Sequence, residues 1–381
     1  MGKPYHRLPS ESTLPRLLLT LTAISGEFPT SLVARLPGGA SYKASVVTAL
    51  KREKLLRTYY RDGLRGLRLT ASAKKQLLAD QPERFTSYLT GRSETNRLKS
   101  EVPRRLRLHR MAEVLLSMLN AGIPALPWEK PPLFCPSLIP AAGQVVCPVY
   151  YSSREVKEIG PQAAKINGSR STGVLLTDGG IFIVYNTGAG LMKWEYKAEL
   201  RLKAVIKTEL CQRRLPDQFM EAKLSGIVFG AGMEAMLPLM DAGEAVRHNY
   251  FVLDGNFEHF YFLTSDHGGE VILQLLCHPE LKAALDDILL QDLNAGRPGW
   301  LIENDAVDNH GAPVLFGFTC DMPRIRRFDT ALELHGRQGT LICFDFQERT
   351  LRRICGQRVT IQSIDFEAFE RSALYRPQEI D

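Results

Sequence analysis

The order of helix and turn signals in the first eighty residues constrains the fold more than any other feature. Ser12-Thr13-Leu14-Pro15 has a capping residue followed by an early proline, which is typical of a helix start. Leucines at helical spacing follow, and Gly26 ends the run. We predict a second helix over 29–36, stopped by Pro37-Gly38-Gly39, and a third over 41–56.

An Asp-Gly turn between two β-prone runs follows these helices. The predicted strands cover 56–60 and 67–69, and Asp62-Gly63 lies between them. Asp-Gly favours a tight hairpin, because both turn positions require a positive φ angle. Thr70 is the expected cap of a closing helix. Three helices, a hairpin and a closing helix predict a winged helix-turn-helix domain over residues 1–80.

The charge of the chain is divided unevenly, and the division favours a polyanion as partner of this first domain. Residues 1–110 hold 22 Lys and Arg against 8 Asp and Glu, whereas the rest of the chain holds 26 against 34. A small domain with this excess of positive charge gains affinity for nucleic acid through counterion release. Double-stranded DNA is the expected partner. A solvated basic surface, or a winged helix used for protein contacts, is the alternative.

The predicted DNA contacts follow from the docking geometry of helix-turn-helix proteins. The second helix of the turn motif enters the major groove by its N-terminal half, and the wing approaches the backbone or the minor groove. The predicted contacts are Ser41, Tyr42, Lys43 and Ser45 at the start of that helix, Lys51 and Arg52 near its end, and Arg61, Arg65 and Arg68 in the wing. A solvated helix face is the alternative for Lys51 and Arg52.

Residues 81–140 are predicted to form a basic helical connector and a proline-rich linker. A helix is expected over 103–120, with arginines in its first half and an apolar stripe in its second half. Arg104 and Arg105 extend the predicted DNA contacts, or they belong to a solvated basic stretch. Five prolines between positions 124 and 136 indicate an extended segment after this helix.

Residues 141–381 are predicted to form a mixed α/β domain, which makes the whole chain α+β. Helical and strand patterns alternate there, which favours a mixed sheet covered by helices. We predict one hairpin from strands at 171–176 and 181–185, a long helix over 194–211, and a second hairpin that joins 339–346 to 352–355. The sequence contains no phosphate-binding loop, zinc-protease motif or nucleophile elbow.

Asp178, Glu195 and Lys197 are the set of residues in this domain that points to catalysis. An acid in a hairpin turn, a strand and an acid-x-lysine pair are similar to the restriction-endonuclease core. In that core two carboxylates hold Mg²⁺, and a lysine orients or polarises the attacking water. The alternative interpretation of Glu195, Glu199 and Lys203 is a series of i,i+4 charge pairs on an exposed helix face.

The complete arrangement resembles the replication-relaxation proteins of plasmids and integrative elements in Gram-positive bacteria. The resemblance rests on a winged helix, a basic helical connector and a compact α/β domain. In that family a catalytic-type strand is followed by an acid, a small turn and a long helix, and the strand corresponds to 181–188 here. Its acid positions fall on Val184 and Asn186, which carry no carboxylate. The resemblance therefore implies a degenerate nuclease-like domain that no longer cuts.

The resemblance implies a DNA-binding protein of a mobile genetic element that acts in replication, relaxation or conjugative transfer. The C-terminal domain would form a homodimer or contact a replication or transfer protein. The alternatives are a Mg²⁺-dependent DNA endonuclease and a winged-helix transcriptional regulator whose larger domain senses a ligand. No cofactor is expected unless the endonuclease alternative holds, in which case the cofactor is Mg²⁺.

The sequence also predicts where such a protein works. No apolar run reaches the length of a membrane span, and the N-terminus has no apolar segment followed by a cleavage site. We expect a cytoplasmic protein without a membrane partner. The seven cysteines are scattered and form no C-x-x-C pair, so we expect free thiols.

Overall fold

The computed structural model describes residues 8–91, 101–135, 144–159, 166–241, 250–253, 257–296 and 299–373. These residues form a mixed α+β protein with three β-sheets. They divide into two units. Unit 1 contains the described residues up to Leu119 together with Leu126–Lys130, and unit 2 contains Asn120–Ala125 and the described residues from Pro131 onward. None of the helices in these ranges has the length and apolar character needed to cross a membrane.

Unit 1 combines helices with a small antiparallel sheet of strand order β1-β3-β2. Its elements are α1 (Leu14–Ser25), β1 (Phe28–Pro29), a 3-10 helix (Thr30–Arg35), α2 (Ala40–Arg52), β2 (Leu56–Arg61), β3 (Leu64–Leu69), α3 (Ala71–Asp80), α4 (Pro82–Leu89) and α5 (Val102–Asn120). The predicted hairpin is confirmed, with φ angles of 51° at Asp62 and 76° at Gly63 in its turn. Gly26, with φ of 78°, ends α1 as predicted.

The segment before α2 is predicted to be a short second helix over 29–36. Phe28 and Pro29 pair with Leu67 and Gly66 of β3, so the chain is still extended at Pro29. Only a few residues then remain before Pro37, and they form a 3-10 helix. The predicted short helix is therefore present as a 3-10 helix, and it starts one residue later than predicted because Pro29 pairs in β1.

Unit 2 contains two five-stranded sheets with helices. The first has the order β4-β5-β6-β7-β8 and the second β13-β12-β11-β10-β9. The strands are β4 (Val149–Ser152), β5 (Gly173–Thr177), β6 (Gly180–Gly188), β7 (Leu224–Gly230), β8 (Phe260–Thr264), β9 (Asn294–Ala295), β10 (Ala306–Val307), β11 (Pro313–Phe316), β12 (Gly339–Phe344) and β13 (Val359–Ile364).

The helices of unit 2 lie between these strands and after them. They are α6 (Ser153–Val156), α7 (Tyr196–Val205), α8 (Pro216–Phe219), α9 (Leu237–Met240), α10 (His267–Cys277), α11 (Pro279–Leu290), α12 (Met322–Leu334), α13 (Asp345–Ile354) and α14 (Phe366–Ala373). A π-helix over Ile206–Arg214 continues α7. The seven cysteines all carry free thiols.

The two predicted hairpins of unit 2 have different outcomes. Strands β5 and β6 pair antiparallel around the turn at Asp178, which confirms the first. The second is wrong, because β12 is followed by α13 and then by β13, which runs parallel to β12. Residues 352–355 were predicted as a strand, but Arg352 and Arg353 belong to α13, where Leu351 is buried. The partner strand of β12 therefore begins only at Val359.

Candidate nucleic-acid interface

Helix α2 exposes a polar stripe on the side opposite its buried residues. Val46 and Leu50 are buried and lie one turn apart, so they define the inward face. The exposed polar positions on the opposite side have i, i+4, i+7 and i+11 spacing, and they are Ser41, Ser45, Thr48 and Arg52. Since three of the four side chains are short, another molecule can approach the backbone of α2 closely along this stripe.

Lys43 belongs to the opposite side of α2. It has i, i+3 and i+7 spacing with Val46 and Leu50, which places it on the inward face. Its Nζ donates to the carbonyl oxygens of Ala34 at 2.6 Å and Leu36 at 3.0 Å. The ammonium group of Lys43, a predicted DNA contact, thus holds the end of the 3-10 helix, and its contact with DNA stays a prediction.

The hairpin β2–β3 continues the exposed surface beyond the core. Tyr60 and Arg65 are opposite each other in the strand register, and they share a hairpin face with the buried Leu56 and Leu67. The Tyr60 side chain is 69% exposed and Tyr42, at the start of α2, is 50% exposed. Sequence reasoning missed Tyr60 and Thr48. Side chains alternate between the two faces of a strand, so Tyr60 lies on the same face as the buried Leu56. Its distance from Leu56 places it past the residues that the core covers.

A buried ion cluster lies on the other face of the hairpin. Glu27 and Arg105 are fully buried and Arg68 is nearly so. The Glu27 carboxylate lies 2.6 Å from Nη2 of each arginine and 2.7 Å from Nε2 of His109. The Tyr59 ring packs against both guanidinium groups, with centroid distances of 3.8 and 4.7 Å. The predictions of Arg68 and Arg105 as DNA contacts are wrong, because both cations are buried against a carboxylate.

This cluster changes the acidity of Glu27 and restricts β3. Burial alone would raise the pKa of the Glu27 carboxyl, but hydrogen bonds from His109, Arg105 and Arg68 outweigh burial and lower the pKa from 4.5 to about 2. A Cβ atom at Gly66 would lie only 2.3 Å from Oε1 of Glu27. The carboxylate therefore fits against β3 only because position 66 has no side chain.

Arg105 also donates hydrogen bonds to the backbone of the hairpin. Its Nη1 lies 2.8 Å from the carbonyl oxygen of Arg61, and its Nη2 lies 3.0 Å from that of Leu64 and 3.4 Å from that of Tyr59. Arg61 and Leu64 flank the turn on its two sides. One side chain of α5 thus joins Glu27 to both strands of the hairpin next to its turn.

Ion pairing leaves the cations of α2 and the hairpin in excess. Among its described residues unit 1 has 18 Lys and Arg against 9 Asp and Glu. Glu27 is neutralised in the cluster, Asp80 pairs with Arg16, and Glu101 pairs with Arg104 at 3.0 Å. We use the term α2–hairpin surface for the exposed stripe of α2, Tyr60, and the cations Lys51, Arg52, Lys54, Arg57, Arg61 and Arg65. Of these, Arg57 and Arg61 are exposed on the hairpin face that also carries Arg68. Arg61 lies 3.3 Å from Asp62, and both side chains are more than half exposed.

The structure does not bring Asp178, Glu195 and Lys197 together. Asp178 follows the last residue of β5. Glu195 lies beside Gly168, which precedes that strand, since a Cβ there would be 3.5 Å from Glu195 Cγ. Five residues of strand span roughly 16 Å, whereas Mg²⁺ requires both carboxylates at about 2 Å. In the described ranges no three His, Cys, Asp or Glu side chains are grouped as a metal site.

Glu199 is buried rather than exposed on α7. Its carboxylate accepts hydrogen bonds from the hydroxyls of Tyr185 at 2.9 Å and Ser169 at 3.0 Å, and from the Arg170 N–H at 2.6 Å. Burial raises the pKa of this carboxyl, although the hydrogen bonds partly oppose the increase. The interpretation of Glu199 as part of an exposed row of charge pairs is wrong, because the residue joins α7 to β6.

Unit 2 has an open groove with a volume of about 570 Å³. Its lining includes Leu237, Met240, Ile325, Arg326, Asp329, Arg353 and Ile354. Arg353 pairs with Glu234, and Asp329 accepts a hydrogen bond from the Gly356 N–H at 2.8 Å. The ligand-sensing alternative predicts a closed apolar pocket, and this groove is open and lined partly by charged groups that already have partners.

Comparisons with known proteins give no independent assignment. The chain matches no protein-family model, no curated protein and no solved structure. The residues of the α2–hairpin surface are therefore interpreted from their own geometry and charge.

Proposed function

We propose that unit 1 is a winged helix-turn-helix that binds double-stranded DNA through the α2–hairpin surface. The observation that carries the proposal is the polar stripe of α2, which lies opposite the buried Val46 and Leu50 and next in sequence to a hairpin rich in cations. A helix of 13 residues is about 20 Å long, and the major groove is about 12 Å wide. The stripe therefore suits insertion of α2 into the groove.

The residues of the stripe have the chemistry that base edges require. Serine and threonine hydroxyls accept and donate hydrogen bonds, and the Thr48 methyl group can contact a thymine methyl. Arg52 at the end of the stripe can bind guanine through two parallel hydrogen bonds. Short side chains at Ser41 and Ser45 allow the N-terminal half of α2 to lie deep in the groove. In this arrangement α2 reads bases.

The hairpin supplies backbone contacts in this proposal. Arg61 and Arg65 lie on either side of the turn, and phosphate contacts from such residues set the orientation of a protein on the duplex. The exposed Tyr60 next to them offers a hydroxyl to a phosphate and a ring to a sugar. Lys51 and Lys54 at the end of α2 add cations between the helix and the hairpin.

The cellular role proposed for this activity is engagement of an origin or operator of a mobile genetic element. It rests on the resemblance to replication-relaxation proteins, with homodimer formation or contact with a replication or transfer protein proposed for the C-terminal domain. A winged-helix transcriptional regulator uses the same surface, so DNA binding by unit 1 is common to both roles.

The test is duplex DNA binding by the full-length protein across a series of salt concentrations. The variant Arg61→Ala/Arg65→Ala removes two cations of the α2–hairpin surface, and it should make the negative slope of log K against log [salt] shallower by about 2. The matched control, Arg213→Ala/Lys223→Ala, removes two exposed cations of unit 2 and should leave the slope unchanged. Absence of salt-dependent binding, or equal effects of the two variants, would contradict the proposal.

A further inference from the structure

We propose that Arg105 is a positioning residue that holds the hairpin β2–β3 in its DNA-binding orientation without contacting DNA. The inference rests on the proposed function, because it concerns the placement of Arg61 and Arg65. It assigns a role to a fully buried arginine in a helix that was expected to contribute surface charge. Arg105 would contribute to DNA affinity through geometry instead of through its own charge.

Strand β3 of the hairpin contacts the segment that follows α1: β1 pairs with it at Leu67 and Gly66, and the Thr30 hydroxyl donates to the carbonyl of Arg65 at 3.2 Å. Leu56 and Leu67 anchor the far half of the two strands in the core, whereas Tyr60, the turn residues and Arg65 are exposed. Two-stranded hairpins are marginally stable by themselves in water. Beyond β1 the hairpin is two-stranded, and there Arg105 holds both strands next to the turn through the carbonyl groups of Arg61 and Leu64.

The chemistry of arginine suits this task. A planar guanidinium group has five N–H donors in a fixed geometry, so it can reach several acceptors in different directions. In Arg105, Nε and Nη2 donate to Glu27, while Nη1 and Nη2 also donate to the hairpin. Glu27 follows α1 and is fixed by Arg68 and His109 as well. The carboxylate thereby fixes the guanidinium, and the guanidinium fixes the hairpin.

The test is a double-mutant cycle between Arg105 and the hairpin cations in the full-length protein. Affinity for duplex DNA is measured across a salt series for the wild type, Arg105→Met, Arg61→Ala/Arg65→Ala and the triple variant. Each lost phosphate contact costs about 5-fold in affinity at 0.15 M salt. We expect Arg105→Met to approach the roughly 30-fold loss of the hairpin variant. It should cause little further loss in the triple variant, because the contacts that it positions are already absent.

The matched control is Arg104→Met, which removes one exposed positive charge from the same turn of α5. Its effect should be the same with and without the hairpin cations. Hydrogen exchange adds a readout that does not depend on DNA. The amides of residues 61–66 should exchange faster in Arg105→Met than in Arg104→Met. If Arg105→Met does not fold, Arg105→Lys replaces it, since a single ammonium nitrogen cannot span the same acceptors.

The outcomes separate this inference from the proposed function. Unchanged affinity, or losses that add fully in the triple variant, would overturn the positioning role while duplex binding by the wild type still supports the proposed function. If the wild type binds no duplex, the proposed function fails. In that case hydrogen exchange alone decides whether Arg105 holds the hairpin. Unchanged exchange of the amides of residues 61–66 in Arg105→Met would refute the positioning role as well.

Discussion

Replacement of Glu27 by glutamine should destabilise unit 1 strongly although it changes only one atom. The substitution leaves Arg68 and Arg105 buried with a neutral acceptor in place of a carboxylate. Removal of one partner from a buried ion pair costs about 3–5 kcal/mol. The lowered pKa of Glu27 leads to a similar value, because the difference between 4.5 and about 2 corresponds to about 3 kcal/mol at neutral pH.

The unfolding of unit 1 can be measured separately in the full-length protein. The chain has three tryptophans, and only Trp128 belongs to unit 1, where it packs against Phe85 with a centroid distance of 5.8 Å. In a Trp194→Phe/Trp300→Phe background, tryptophan fluorescence during urea unfolding reports unit 1 alone. We expect Glu27→Gln to lower its unfolding free energy by about 3 kcal/mol or more.

The matched control is Glu101→Gln, which removes an exposed carboxylate that pairs with Arg104. Exposed ion pairs contribute about 0–1 kcal/mol, so this change should have a small effect. Equal effects of the two substitutions would refute the reasoning. Because the folded pKa of Glu27 is depressed, its contribution is complete above pH 4.5 and is lost as the pH falls towards 2. The difference between wild type and Glu27→Gln should narrow over that range.

Three further predictions concern other positions. Gly66→Ala should lower the unfolding free energy of unit 1 by about 1–3 kcal/mol in the same assay, because the new Cβ would overlap the Glu27 carboxylate. In urea unfolding, the unfolding free energy of unit 2 in Glu199→Gln should increase relative to wild type as the pH rises above 4.5. Burial raises the pKa of Glu199, so the wild type is destabilised as this carboxyl is forced to ionise. Asp178→Ala/Glu195→Ala should leave DNA affinity and any Mg²⁺-dependent cleavage unchanged in a labelled-duplex assay, because the two carboxylates lie beyond opposite ends of β5.

Each of these predictions has a control or a contrary outcome. Gly39→Ala places a Cβ in open space at the N-cap of α2, where alanine is a poorer cap than glycine by about 0.5–1 kcal/mol, so a loss from Gly66→Ala no larger than that would contradict the steric argument. A pH-independent difference between wild type and Glu199→Gln would show that the carboxyl does not titrate as inferred. Loss of Mg²⁺-dependent cleavage in the double variant would make Asp178 and Glu195 catalytic.

The elements of unit 1 were predictable where their signals are local. Gly26 ends α1, Asp62-Gly63 forms the hairpin turn, and the arginine-rich helix α5 covers the predicted residues. Each of these features depends on a few consecutive residues whose backbone preferences agree with the fold. The 3-10 helix before α2 was not predictable in the same way, because its start depends on pairing between β1 and the distant β3.

The fate of the arginines could not be predicted from composition. Glu27 and Arg105 are 78 positions apart, and nothing in the residues around Arg105 distinguishes it from the exposed Arg104. A charge count treats the two alike, although one pairs with a buried carboxylate and the other faces solvent. The parallel pairing of β12 and β13 was missed because these consecutive strands are joined by α13 as a crossover helix and not by a hairpin turn.

The burial of Arg68 and Arg105 limits how many phosphates the predicted DNA contacts can neutralise, and salt dependence measures that number. The α2–hairpin surface has six cations, whereas Arg68 and Arg105 are paired inside the protein and Lys43 is bound to backbone carbonyls. With one counterion-releasing contact for each cation of the α2–hairpin surface, the slope of log K against log [salt] should be no steeper than about −5 for one bound chain. A titration of duplex DNA at salt concentrations between about 0.05 and 0.3 M checks this limit. A slope near −9 for a single bound chain would require phosphate contacts from cations outside the α2–hairpin surface, and the assignment of the interface to α2 and the hairpin alone would then be wrong.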